Sequence, residues 1–440
     1  MCSSDEVIAI RAFSTCCCIV GGGPCGLMLG FLLARAGVDV VVLEKHGDFL
    51  RDFRGDTIHP STMEVMFELG LLDVFLNLPH QQEAVISERF GSREYALADF
   101  RYLPTRAKFL ALMPQWEFLN FLAEQGRNYP PFHLRMQAEA VELIDEAGRV
   151  IGVRANTPDG LIEVRADLTV GCDGRHSTVR ARAGLTVEEL DTPMDALWFR
   201  LPKKANDPDR TTARIEAGRG IVLMDHRDYW QCGIMIIKGS VEETRRAGLP
   251  ALQAEIAQLV PAFADRVDGL TDWGQIRLLT VAVNRLKRWY RPGLLCIGDA
   301  AHAMSPTLGV GVSLAVQDAV AAANILWRPL ATGTLQADDL ERVQKRRQFP
   351  TRVTQRIQMA VDKTISRVLR ADGQAAETPL PLRLLQRVPV LRRLPARLVG
   401  MGVRPEHVRS PEVRGAAGHG GASGAQRTGK HLRSIALQSG

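Results

Sequence analysis

The chain has 440 residues, 46% of them hydrophobic and 24% charged, as expected of an ordinary soluble globular protein with one elaborate domain or two simpler ones. The net charge of +6 does not mark a nucleic-acid binder. Residues 379–440 carry eleven Arg/Lys against two Glu, a net of +9, which leaves the body with 44 basic and 47 acidic residues, a net of −3. No apolar run approaches the roughly 20 residues of a membrane span. The first fifteen residues lack the order of a signal peptide, so a cytoplasmic location is expected.

Taken in chain order, the first element is an apolar run, Cys16–Val20, that enters Gly21-x-Gly23-x-x-Gly26. A helix-compatible segment, Leu27–Ala36, follows, and then a second apolar run, Val40–Leu43, ends in Glu44. Strand, glycine turn, helix, strand and acid make a dinucleotide fingerprint. Gly21 permits the tight turn, Gly23 the approach of a pyrophosphate, and Gly26 close helix–strand packing. The helix N-terminus offers unpaired N–H groups to phosphates, and Glu44 is placed to accept from ribose hydroxyls.

Residues 51–60 are polar and turn-rich. From Ser61 the apolar spacing predicts a helix, with Ser61 and Thr62 as candidate caps and Glu64 at the capping-box position relative to Ser61. Residues 83–102 read as a β-hairpin and 115–127 as a helix. A meander spans 141–164, with turns at Glu146-Ala-Gly148 and Pro158-Asp-Gly160, and returns into Gly171-Cys-Asp-Gly174. Residues 190–275 are mostly β, interrupted by helices near 241–247 and 251–260. A short strand, Gly293–Ile297, then runs into Gly298-Asp-Ala-Ala-His302, followed by a glycine-rich loop and helices over about 312–326 and 334–362. Prolines 389 and 395 interrupt an arginine-rich segment, 382–403, expected to pack on the body although its composition also suits an anionic membrane surface. The last thirty residues are Gly/Ser/Ala-rich, and a disordered tail is expected over 411–440. The eight cysteines form no CxxC pair and read as buried thiols in a reducing compartment; no metal is expected.

A single Gly-Asp pair reads equally well as a turn. Here, however, Gly171-Cys-Asp-Gly174 and Gly298-Asp299 each follow an apolar strand, as the fingerprint does. An Asp in such a position suits ribitol hydroxyls. The loop and helix N-terminus after it are able to aim N–H groups at a flavin's N1 and C2 carbonyl.

In these motifs the sequence resembles the FAD-dependent aromatic-ring hydroxylases, single-component flavoprotein monooxygenases similar to para-hydroxybenzoate hydroxylase, over about residues 15–350. The resemblance implies an α/β fold, with a Rossmann-like FAD-binding domain of the GR2 type over 1–80, 103–190 and 276–330. A β-rich substrate domain would occupy 81–102 and 191–275, and a C-terminal helical region 331–410. It implies FAD held by Gly21, Gly23, Pro24, Cys25, Gly26, Glu44, Lys45, Arg54, Gln115, Asp173, Asp299, Gly309 and Gly311. NADH or NADPH would reduce the flavin, and a C4a-hydroperoxide formed with O₂ would hydroxylate a small aromatic or otherwise electron-rich substrate.

Trp198, Arg214, Tyr229 and Gln231 are the candidate lining residues, His302 is expected to pack or cap its loop, and no catalytic base is assigned. Where many relatives read Gly-Gln-Gly-x-Asn, this chain has Gly309-Val-Gly-Val-Ser313. The Gly-Trp-x-Trp-x-Ile-Pro pattern of flavin halogenases is absent. The alternatives are a reductase or dehydrogenase on the same fold without oxygen insertion, and a non-catalytic FAD-binding module.

Overall fold

The computed structural model describes residues 11–50, 56–91, 93–207, 211–216, 218–226, 228–370 and 380–413. Its first layer is a sheet built on the fingerprint. Strand Arg11–Val20 pairs in parallel with Val40–Leu43 on one side and Gly160–Gly171 on the other, and Phe132–Arg135 and Leu294–Cys296 extend the two edges. Parallel strands covered on both faces read as continuous apolar runs, and Cys17–Val20 and Val40–Leu43 are buried throughout. The meander Glu139–Glu146 and Arg149–Thr157 folds back antiparallel onto Gly160–Gly171.

Helices Pro24–Arg35 and Gly311–Ala331 pack against each other beside this sheet. Small residues from Ala315 to Ala323 permit the close approach. Among the described residues, the segment Thr307–Ala331 is long and apolar enough to cross a membrane, but 72% of its most apolar window is buried in the protein, as in a core helix.

The hairpin Val85–Phe90 and Arg93–Asp99 is not a separate flap. Val85–Phe90 pairs in parallel with Thr212–Glu216, so the hairpin closes one edge of a seven-stranded sheet that continues through Arg219–Asp225, Tyr229–Ile237 and Met194–Pro202. The last strand is Arg277–Leu279, so the sheet runs past the expected boundary at 275. The 33-residue helix Ala337–Leu369, about 50 Å long at 1.5 Å per residue, joins the two sheets and contacts both.

Three expectations are corrected. The helix after the turn begins at Pro60 with His59 as its N-cap, because proline favours the first helical position. No capping box forms: Glu64 accepts from Arg106 N at 3.0 Å, and Ser61 Oγ has no partner. The helix expected over 334–362 starts three residues later and continues to Leu369, since nothing in Lys363–Val368 breaks it. Of the tail expected to be disordered, 414–440 lie outside the described residues, and 411–413 are held: Val413 N donates to Arg35 O at 2.8 Å, and Tyr129 Oη donates to Glu412 at 3.0 Å.

The arginine-rich segment folds as two short helices, Leu380–Arg387 and Arg393–Gly400, with Pro389 opening a 3₁₀ turn between them. Ala396, Val399 and Met401 bury against Ala98, Phe100 and Leu103, so the segment packs on the body.

Candidate active site

Both sheets open onto one continuous cavity of about 1050 Å³. Its first wall is the fingerprint. Gly21 adopts φ +107°, and a Cβ on it would lie 2.4 Å from the Cys172 carbonyl oxygen. A Cβ on Gly26 would meet Gly21 O at 1.9 Å, so only glycine lets the helix leave the strand this closely. Gly23 has nothing within 4 Å of where its Cβ would be, and no side chain caps the helix it opens. The unpaired first-turn N–H groups and the open approach at Gly23, Pro24 and Cys25 leave a glycine-walled cradle whose chemistry suits an anion such as a pyrophosphate.

Glu44 is fixed beside that cradle, accepting from Gly22 N at 2.9 Å and His46 N at 3.1 Å. Lys45 and Gln115 line the same wall. Asp173 also lines the cavity, but its carboxylate serves the adjacent helix: it accepts from Ser177 Oγ at 2.5 Å and Val179 N at 3.0 Å. Burial pushes the Asp173 carboxyl up. Arg180 ties this loop to the next, donating to Arg175 O at 2.6 Å and Ala300 O at 3.2 Å.

Asp299, Gly309 and Gly311 complete the wall. Eleven of the thirteen expected cofactor residues therefore face one space. Gly26 stands behind it, and Arg54 lies outside the described residues.

Sequence reading missed the groups that hold the loop 305–311. Gln358, from the long helix, donates to Ser305 O at 2.8 Å and Thr307 O at 2.7 Å. His59 Nε2 lies 3.0 Å from Gly309 O. Burial pushes the His59 imidazole down to about 4, so the ring is neutral and Nε2 carries the donated hydrogen. Nothing in their local pattern signals either role, which depends on the docking of distant helices.

Beneath the loop, Asp318 accepts from Gly298 N at 3.1 Å, His302 Nε2 at 2.6 Å and Arg347 Nε at 2.8 Å. Burial pushes the Asp318 carboxyl up, but His302 and Arg347 outweigh it and hold it below the usual range. His302 thus packs under the Gly298-Asp299 turn, tilted over Trp289 with ring centroids 5.0 Å apart.

The far half of the cavity is mostly, not wholly, apolar. Ile357, Val361 and Ile365, one turn apart on the long helix, face Met194, Met235 and Val222 of the seven-stranded sheet. Pro381, Leu385 and Val399 of the C-terminal helices also line it. Trp198 is on this wall, with Gly233 under its ring. The other three candidate lining residues are not on the wall. Arg214 turns to the opposite face of its strand and donates to Leu259 O at 2.8 Å. Tyr229 stacks on His226 at 4.6 Å. Gln231 donates to Asp56 Oδ2 at 3.2 Å, behind the cavity wall. Strand alternation sends half of such residues away from any one face. Among the described residues no cluster of His, Cys, Asp or Glu suits a metal ion.

The sequence profile of the FAD binding domain family matches residues 14–357. The 6-methylpretetramide 4-monooxygenase of Streptomyces rimosus is 34% identical over 401 residues, which cover 89% of this chain and 94% of that protein. Among solved structures, the p-nitrophenol 4-monooxygenase PnpA of Pseudomonas putida DLL-E4 superposes with a TM-score of 0.72 at 22% identity, over 88% of this chain and 97% of its own. The anhydrotetracycline hydroxylase OxyS of Streptomyces rimosus gives 0.70 at 24% identity, over 88% and 76%. With the glycine cradle and the continuous cavity in place, the chain belongs to the FAD-dependent aromatic-ring hydroxylase family of flavoprotein monooxygenases.

Proposed function

We propose that this monooxygenase hydroxylates a fused-ring phenol, with NADH or NADPH as reductant, and that the thirteen cofactor residues named above hold its FAD. The observation that carries this reading is the continuity of the cavity: a polar, glycine-walled half opens directly into a methionine- and valine-lined half. Ligand pockets typically measure about 300–1,000 Å³, so a cavity of about 1050 Å³ lies at the upper end and suits a dinucleotide with a substrate beside it. The relative named for 6-methylpretetramide, itself aligned over nearly its full length, supports the polycyclic class.

Each residue has a physical task. Glu44 accepts from the adenosine ribose hydroxyls, the N-terminus of Pro24–Arg35 takes the pyrophosphate, and Asp299 accepts from the ribitol. The Gly309–Gly311 backbone, held by His59 and Gln358, presents N–H groups at the ring end, where negative charge gathers on reduction. When bound, the flavin supplies electron transfer and oxygen activation. The apolar half excludes water and positions the substrate ring. Methionines there adapt to an irregular outline. The free thiols at the seven described cysteines fit a reducing compartment, which supports a cytoplasmic place of action.

Purified protein is expected to be yellow and to release FAD on heating. With NADH or NADPH and a panel of fused-ring phenols, one oxygen from labelled dioxygen is expected in the product. Reductant oxidation that proceeds anaerobically to the same product would overturn the reading.

A further inference from the structure

We propose that Glu88 is the polar anchor of the apolar half of the cavity: it accepts a hydrogen bond from a substrate hydroxyl and takes its proton. This rests on the fused-ring phenol reading above and names the residue that would select for the hydroxyl.

Glu88 lies on strand Val85–Phe90, with Phe90 on the same face of the strand. Both residues line the cavity. A carboxyl therefore stands where the alternation calls for an apolar side chain. Its side chain is half-buried and lines the cavity.

The other buried carboxyls of the cavity wall have partners. Asp195 accepts from Lys238 Nζ at 3.2 Å and Val281 N at 2.9 Å. Asp56 accepts from Gln231 and from Gln115 N. Asp362 accepts from Thr307 Oγ1. Glu88 makes no side-chain hydrogen bond or ion pair among the described residues. The cations nearest in the sheet do not reach it: Arg89 and its cross-strand neighbour Arg214 belong to the other face, where Arg214 is spent on Leu259 O. Burying a polar group without a partner costs free energy, and a ligand hydroxyl is the partner this space admits. Burial alone pushes the Glu88 carboxyl up to about 7, which also suits exchange of a proton near neutral pH.

The step is a simple transfer. The substrate O–H bond breaks, the proton passes to a Glu88 carboxylate oxygen, and the electron pair stays on the phenolate and enters the ring. The ring becomes the stronger nucleophile, and Glu88 becomes a neutral acid in apolar surroundings.

The test uses FAD-loaded enzyme and two probes of one shape, 2-hydroxyanthraquinone and anthraquinone. Wild type is expected to bind the hydroxylated probe roughly ten- to a hundredfold more tightly, the worth of one charge-assisted hydrogen bond, and to show it with the absorption of the ionised phenol. Glu88→Leu should lose that preference while keeping its affinity for anthraquinone. Glu88→Gln should keep part of the preference but hold the probe as the neutral phenol. If Glu88→Leu fails to retain FAD, the isosteric Gln variant decides alone through the probe's spectrum. Wild type without a preference, or a preference and ionised spectrum that persist in Glu88→Gln, overturns the proposal. A Glu88-dependent preference without substrate-linked oxygen uptake supports the anchor and counts instead against the monooxygenase reading.

Discussion

His302 Nε2 lies 2.6 Å from Asp318 Oδ2, with both side chains shut away from solvent. The same oxygen accepts from Gly298 N, so this pair fixes the turn that presents Asp299 to the cavity. Arg347 then links Asp318 Oδ1 to Glu406, and Arg346 grips Glu406 with two nitrogens at 2.7 and 3.0 Å. A chain of buried charge thus runs from the Gly298-Asp299 turn to Glu406, beyond the last helix.

Removing one member of a buried ion pair typically costs about 3–5 kcal/mol, because the partner is left uncompensated. Asp318→Asn should therefore lower the unfolding temperature markedly, and it should raise the FAD dissociation constant even in protein that remains folded. The double variant Asp318→Leu/Arg347→Met should recover part of the stability but not the FAD affinity, since Gly298 N still lacks its acceptor. Thermal melts and FAD titration of the three proteins check both halves.

The glycines of the fingerprint differ in what surrounds them, so they should differ in their response to alanine. Gly26→Ala drives a methyl into Gly21 O, a backbone atom with no rotamer to yield. The strand–helix junction must open, and FAD retention should fall at least about tenfold. Gly23→Ala meets no protein atom, and its backbone is extended at φ −78°, which alanine adopts freely. Its fold and melting temperature in the FAD-free form should match wild type, and any loss should appear only on FAD binding. Equal loss of stability in both apo-proteins would be inconsistent with this geometry.

What sequence could and could not reveal follows the range of the interactions. The fingerprint, the Gly298-Asp299 turn and the meander turns are local, so residue type and spacing were sufficient to locate them. The hairpin at 83–102 was visible as a hairpin. Its parallel pairing with Thr212–Glu216 was not, since the partners are more than 120 residues apart. His59, Asp318, Gln358 and Glu406 were missed for the same reason. Asp318 sits in an alanine-rich helix where nothing local sets it apart, and its partners come from other elements. Arg214 and Tyr229 were misplaced because alternation gives two faces and the sequence does not say which one meets the ligand.

Glu44 and Asp299 line one cavity from positions more than 250 residues apart in the chain, and the proposed reading sets them at opposite ends of the dinucleotide. A hydrogen bond to a charged group contributes roughly 1.5–3 kcal/mol, so Glu44→Ala should weaken FAD binding about ten- to a hundredfold. Asp299→Asn keeps one acceptor oxygen and loses the charge, and should cost about 1 kcal/mol or more; Asp299→Ala should cost more. Glu44→Ala carries a second consequence, because it also removes the acceptor of Gly22 N and His46 N. Its apo-protein should therefore melt lower than wild type, whereas that of Asp299→Ala should not. Equilibrium titration with melts of the apo-proteins separates the two effects.

Glu88 and His59 should give stability two opposed pH dependences. Burial raises the Glu88 carboxyl from 4.5 to about 7. Between those values the folded protein binds the extra proton, so this group's contribution falls as pH rises. Its penalty is absent below about 4.5 and complete above about 7. Burial lowers the His59 imidazole from 6.5 to about 4. Here the unfolded chain binds the extra proton, so stability rises with pH across that window, and the penalty is complete only below about 4. In wild type the two slopes partly cancel between about 4.5 and 6.5. Glu88→Gln removes one of them. The variant's gain in melting temperature over wild type should be greatest at pH 8 and vanish near pH 4.5, leaving a steeper loss of stability on acidification. Melts of holoenzyme in excess FAD at pH 4.5, 6 and 8 check this, and a gain that grows toward acid would mean that Glu88 is ionised and paired in the folded protein.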